Sequence, residues 1–221
     1  MEKLIHKAIS LKKTEEIANL LYILFGVVLS IIIWLITGDF GKEPLLFAKA
    51  MCGIVAVTYF FGNVFLKVML LPEEVMRGLS FGGTRREVFA ISRIVDLIEV
   101  IVVALPALFI CKGNENMIFE LGALCFGFFM WTEGLVGNNV IRYGKIAYWI
   151  YYVAVITAIG ALPRIVRVFP GLEICVRKFT DGIINPGTNC LYVWCIISIF
   201  VIVGIVVNWL TFRKIPVKNA V

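Results

Sequence analysis

Arg93, Asp96 and Glu99 stand three residues apart at the head of an apolar run that continues to Ile110. At i, i+3 spacing on a helix their side chains share a face. Inside a bilayer each charged group costs roughly 2.5–3.5 kcal/mol on insertion scales, so it normally faces a cavity or a partner. Two arrangements satisfy that rule. In one, Arg93 and Asp96 form an intrahelical ion pair near the inner interface. In the other, Glu99, about 4–5 Å deeper at 1.5 Å per residue, lies beside a polar pathway or at a subunit interface. Glu133 is a carboxylate of the same kind towards the inner end of the next apolar run, and with Asp96 and Glu99 it makes a candidate translocation path. Glu133, and Glu120 near the outer end of that run, are otherwise placed to reach headgroup water.

Other chemistries have little to build on. Of six cysteines, Cys52, Cys125 and Cys195 lie in apolar runs, as small packing residues do. Cys175 and Cys190 flank a polar stretch, and a disulfide between them is geometrically compatible; it requires an oxidising compartment. The one histidine, His6, lies outside the spans and no Cys-x-x-Cys pair occurs, which argues against a metal site. Glu73-Glu74-Val-Met-Arg77 is close to the Glu-Glu-x-x-x-Arg motif of intramembrane CAAX-type proteases, but the arginine comes one residue early and the histidines are missing. No His-Glu-x-x-His pair is present, and catalysis by this chain is not expected.

The elements that must hold these residues follow from hydropathy. The 221 residues are 61% hydrophobic and only 16% charged, with mean hydropathy +0.95, far from a soluble domain. An all-α polytopic membrane protein is expected. Spans are expected at residues 17–37, 45–71, 87–111, 117–136, 146–162 and 191–212. Residues 1–16 mix lysines with Leu4, Ile5, Ala8 and Ile9 like an amphipathic helix lying in the interface, with Thr14 as a cap for the first span. No signal-peptide pattern is seen there, so this segment is expected to stay in the mature protein. Residues 163–190 are too long and too apolar for a plain turn. Leu172, Cys175, Val176 and Phe179 share one helical face, so one or two short interfacial or re-entrant helices are expected.

Orientation comes from the basic residues. With the N-terminus inside, two thirds of the 21 Lys and Arg fall on inner segments, which places both termini in the cytoplasm. Arg164, Arg167, Arg177 and Lys178 run against this bias on the outside. The net charge of +6 matches basic flanks that contact anionic lipid and does not call for nucleic acid.

Residues 72–93 form the one long polar interruption between two apolar runs. Pro72, Glu73 and Glu74 suit the first turn of a short helix reaching Ser80. Gly82 and Gly83 break it, and Thr84-Arg85-Arg86-Glu87 matches a capping box for a new helix.

This order of elements resembles the membrane subunits of ABC-2 type (type V) transporters: an amphipathic elbow helix, two spans, a cytoplasmic coupling helix, three spans, a re-entrant segment and a last span. The closest local likeness is Phe81-Gly82-Gly83-Thr84-Arg85-Arg86-Glu87, similar to the Gly-x-Ser/Thr-Arg-Arg-Glu stretch of bacterial permeases of this kind. The resemblance implies a permease subunit of an ATP-driven exporter in the cell membrane, paired with a second permease and two ATPase subunits. ATP and magnesium would bind those partners, for no Gly-x-x-x-x-Gly-Lys-Ser/Thr loop exists here. It further implies that residues 73–80 are the coupling helix, with Glu74, Arg77 and Arg85 facing the ATPase and Gly82-Gly83 as a hinge. By family analogy the substrate is a hydrophobic or amphipathic, antimicrobial-type peptide. An ion-coupled secondary transporter using Asp96, Glu99 or Glu133 as proton sites, or a membrane scaffold or immunity protein, are the competing readings.

Overall fold

A computed structural model describes residues 2–37, 44–80, 83–184 and 190–215, with side chains from residue 12 onward except 145, 159, 162, 163 and 190. Among these residues the chain is helical and free of strands. In order, α1 is Glu2–Thr37, α2 Pro44–Ser80, α3 Arg85–Ile110 and α4 Glu115–Thr132. A π-helical segment, Glu133–Gly137, leads into α5, Asn138–Tyr143; then come α6, Lys145–Val168, α7, Pro170–Ile184, and α8, Cys190–Phe212. The contacts divide the chain into two compact units, residues 1–118 and 119–221.

Four helical stretches are long and apolar enough to cross a membrane: Lys12–Thr37, Pro44–Ser80, Glu115–Tyr143 and Leu191–Phe212. Apolar side chains on them face outward, such as Leu24, Phe25 and Ile36 on α1, the last 80% exposed, while polar ones turn inward. That inversion of the soluble pattern is what a lipid solvent demands. Every 18-residue stretch of α3 includes Arg93, Asp96 and Glu99, so α3 meets the length of a span but not its apolarity.

In the first unit α1, α2 and α3 pack on one another. The helices approach closely at Gly26, where a Cβ would stand 2.9 Å from the Val55 Cα and 2.4 Å from the Thr58 hydroxyl. Tyr59, Val68, Leu71 and Val75 of α2, with Val88 and Val100 of α3, supply its buried apolar side chains.

Three expectations change. The elbow is not a separate helix: α1 runs unbroken from Glu2 to Thr37, and Thr14 lies within it. No glycine or proline interrupts α1 before Gly26, and the inward-facing Lys12 and Glu15 hold the turn where a break was expected. Nor does a coupling helix start at Pro72, because α2 continues through that proline to Ser80. Proline removes a backbone donor and clashes with the preceding turn, at about 3 kcal/mol in a helix interior. Burial of Val68, Leu71, Glu74 and Val75 on both sides of it offsets this. Finally, residues 137–145, between the expected spans 117–136 and 146–162, are helical except at Gly144, whose φ of 75° only glycine adopts readily.

The break between α2 and α3 falls where expected. Thr84 is the N-cap of α3: the Glu87 N–H donates to Thr84 Oγ1, 3.3 Å, and the Thr84 N–H donates to Glu87 Oε2, 2.9 Å. Residues 163–184 are helical too except at the extended Phe169, as the end of α6 and then α7, with Pro170 at the start of α7.

In the second unit Phe126, Phe129, Met130, Val193, Ile197 and Phe212 are buried. The α8 backbone passes so close to the π segment that a Cβ on Gly134 would lie 2.8 Å from the Asn208 Cα.

Candidate functional site: a buried ion-pair cluster

Seven charged side chains from α1, α2 and α3 meet inside the first unit. α1 brings Lys12 and Glu15, α2 brings Lys67 and Glu74, and α3 brings Arg93, Asp96 and Glu99; all are under a tenth exposed, Asp96 fully buried. Asp96 is the hub. Its Oδ1 accepts from the Lys67 ammonium at 2.6 Å and also from the Lys12 ammonium, while Arg93 Nη1 lies 3.4 Å from its Oδ2.

The two lysines tie the helices together. Lys12 Nζ donates to Glu15 Oε2 at 2.7 Å and stands 3.8 Å from Glu74 Oε2. Lys67 Nζ donates to Glu15 Oε1 and reaches Glu99 Oε2 at 3.4 Å. Glu99 Oε2 also accepts from Asn19 Nδ2 at 3.0 Å and from the Tyr59 hydroxyl at 3.4 Å. Glu74 and Glu15 both face the Lys12 ammonium, at 3.8 and 2.7 Å.

Glu15, Asp96 and Glu99 each offer an oxygen within 4.8 Å of the others, a spacing a metal ion could use. Here the ammonium groups of Lys12 and Lys67 stand among those oxygens and supply the positive charge. Chemically the cluster is a bonded cross-brace of three helices.

Of the candidate translocation path, Asp96 and Glu99 come together here, and Arg93–Asp96 is an ion pair as one reading had it. Glu133 belongs to a network in the second unit. There Asn208 Nδ2 donates to Glu133 Oε2, 3.4 Å, and Asn138 Nδ2 donates to Asn208 Oδ1, 3.1 Å, and to Thr211 Oγ1, 2.7 Å. The π segment that begins at Glu133 widens the helix where this network lies, a distortion frequent at functional sites. Glu120 is fully buried rather than reaching headgroup water.

The residues expected to meet an ATPase are divided. Glu73 and Arg86 are exposed, and Arg77, Gly83 and Arg85 are half-buried around the end of α2 and the start of α3; Thr84 and Glu87 are committed to the cap. Glu74 was expected to face outward and instead turns into the cluster, because the lysine that can neutralise it, Lys12, is inside. Phe81 and Gly82, and with Gly82 half of the expected hinge, lie outside the described residues. Cys175 is an exposed thiol with no disulfide among the described residues, and the Cys190 side chain lies outside them.

Lys12, Glu15 and Lys67 are not among the site residues the sequence singles out. The signal was spacing: Lys12, Glu15 and Asn19 at i, i+3, i+7, and Asn63, Lys67 and Glu74 at i, i+4, i+11, each a polar stripe on an apolar helix. Compared with protein-family models, curated proteins and solved structures, the chain matches none.

Proposed function

We propose that the chain is the permease subunit of an ATP-driven exporter. It crosses the cell membrane six times, with both termini in the cytoplasm, and works as a pair of permeases with two copies of a separate ATPase subunit that binds ATP and magnesium. In this reading α3 and α6 complete the four apolar spans, α3 because its carboxylates Asp96 and Glu99 are paired with Lys12, Lys67 and its own Arg93. The amphipathic α7 lies at the outer interface before α8.

The observation that carries the proposal is the length and continuity of α2. At 37 residues it spans roughly 55 Å at 1.5 Å per residue, well beyond a hydrocarbon core of about 30 Å. Its last turns pass the cluster at Lys67 and Glu74 and end at the basic corner of Arg77, Arg85 and Arg86. Such a corner is a rigid lever: a partner that moves it also moves three cross-braced helices. The Gly-Thr-Arg-Arg-Glu resemblance falls on this same corner, and an ATPase closing on ATP is the partner that resemblance implies. A hydrophobic or amphipathic peptide is the substrate class carried over with it.

The test is co-purification with ATP-hydrolysing activity. Charge reversal at Arg77 and Arg86 together is expected to remove the ATPase while the permease keeps its melting temperature. An ATPase retained by that double variant contradicts the assignment of the corner.

A further inference from the structure

The charges of the cluster do not balance. Among the described residues four carboxylates, Glu15, Glu74, Asp96 and Glu99, face three cations, Lys12, Lys67 and Arg93, leaving one negative charge in excess inside a low-dielectric helix bundle. An uncompensated buried charge is far costlier than a neutralised one.

Several of the atoms left over are acceptors. Glu74 Oε1, Glu99 Oε1 and Asn19 Oδ1 have no hydrogen-bond donor, although all three side chains are more than nine-tenths buried. Asn19 is aimed into the cluster, with its amide nitrogen on Glu99 at 3.0 Å. A missing unit of positive charge and a set of unfilled acceptors describe one ligand.

We propose that the cluster is a binding site for a single proton, held by Glu74. An alkali cation needs several oxygens around it and would stand beside two ammonium groups, Lys12 and Lys67, which repel it. A proton needs no cavity and attaches to a carboxyl oxygen remote from those ammoniums. Glu74 is that carboxyl: its nearest cation is Lys12 at 3.8 Å, whereas Asp96, Glu15 and Glu99 each have an ammonium at 3.4 Å or closer.

The groups facing Glu74 from the packed elements are Lys12 and Glu15 on α1 and Asp96 on α3, with Lys67 on its own helix bonded to the last two. Glu15 holds the Lys12 ammonium at 2.7 Å and Glu74 stands 3.8 Å from the same group with its Oε1 unpartnered, so Glu74 is the carboxyl on which the proton sits. Separating α2 from α1 at this level would leave the proton on an isolated acid, free to exchange with water. The site stands on the charges of this chain alone and does not depend on an ATPase driving it.

The test uses the full chain in detergent micelles and infrared difference spectra in the region of the protonated carboxyl C=O stretch, taken at neutral pH. Wild type minus E74Q is expected to show one carboxyl band, with E74Q melting at or above the wild-type temperature. E99Q, which removes one acid elsewhere in the cluster and so balances the charges, is expected to lose the same band. A band of equal intensity in wild type and E74Q, or one retained in E99Q, overturns the proposal. So does a melting temperature that rises with sodium chloride but not with choline chloride, which would put an alkali cation where the proton is assigned.

Discussion

Asp96 accepts from two lysines on two other helices, so its removal strands more than one charge. Breaking a buried pair by removing one partner costs about 3–5 kcal/mol, mostly as the penalty on the charge left behind. Asp96→Asn and Lys67→Met should therefore each lower stability by about that much in equilibrium unfolding from micelles. The double variant should lose clearly less than the sum, since each change removes the other's stranded partner. Additive losses would show that the two residues are not coupled. In the second unit Asn208→Ala removes the donor to Glu133 and the acceptor for Asn138, and should cost about 1–3 kcal/mol by leaving buried polar groups unmade. Of these residues, Asp96, Glu99 and Glu133 stood out in the sequence because a charge in an apolar run is conspicuous. Lys12, Glu15 and Lys67 did not, since near the end of a span a lysine has water as an alternative to a buried carboxylate. Only the packing of three helices decides between the two.

Elements were legible where the signal is local. The Thr84–Glu87 box needs four consecutive residues and no tertiary partner, and it forms as the sequence indicates. Thr84→Ala should cost about 1 kcal/mol, the usual loss of an N-cap, read as a small fall in melting temperature. An unchanged melting temperature would mean that the cap adds nothing to α3. Continuity was not legible. Pro72 with two following acids has the local signature of a helix start, and what carries α2 through it is burial of side chains one turn to either side, a property of the fold. The same holds for α1, whose polar first turns look like a surface helix until Lys12 and Glu15 find their partners on α2 and α3. The α1–α2 contact at Gly26 leaves no room for a methyl group against the Val55 backbone. Gly26→Ala should destabilise by about 1–3 kcal/mol through overpacking, while the same change at Gly53, where a Cβ meets nothing, should not.

For the whole molecule, an apolar exterior over a charged interior marks a protein built for a lipid solvent, and the proposed role follows from where its helices outrun that solvent. A permease that is driven from outside the bilayer needs a stiff connection from a partner's surface to its spans. α2 and α3, joined at Arg77 to Arg86 and braced at Lys67 and Asp96, have the form of such a connection. The most direct measurement is ATP hydrolysis by the tagged chain purified from its native membrane, for wild type and for the Arg77→Glu, Arg86→Glu double variant. The account predicts nucleotide hydrolysis that travels with the wild-type chain and is lost from the folded variant. A wild-type chain that purifies without ATPase activity, or a variant that keeps it, would contradict the account.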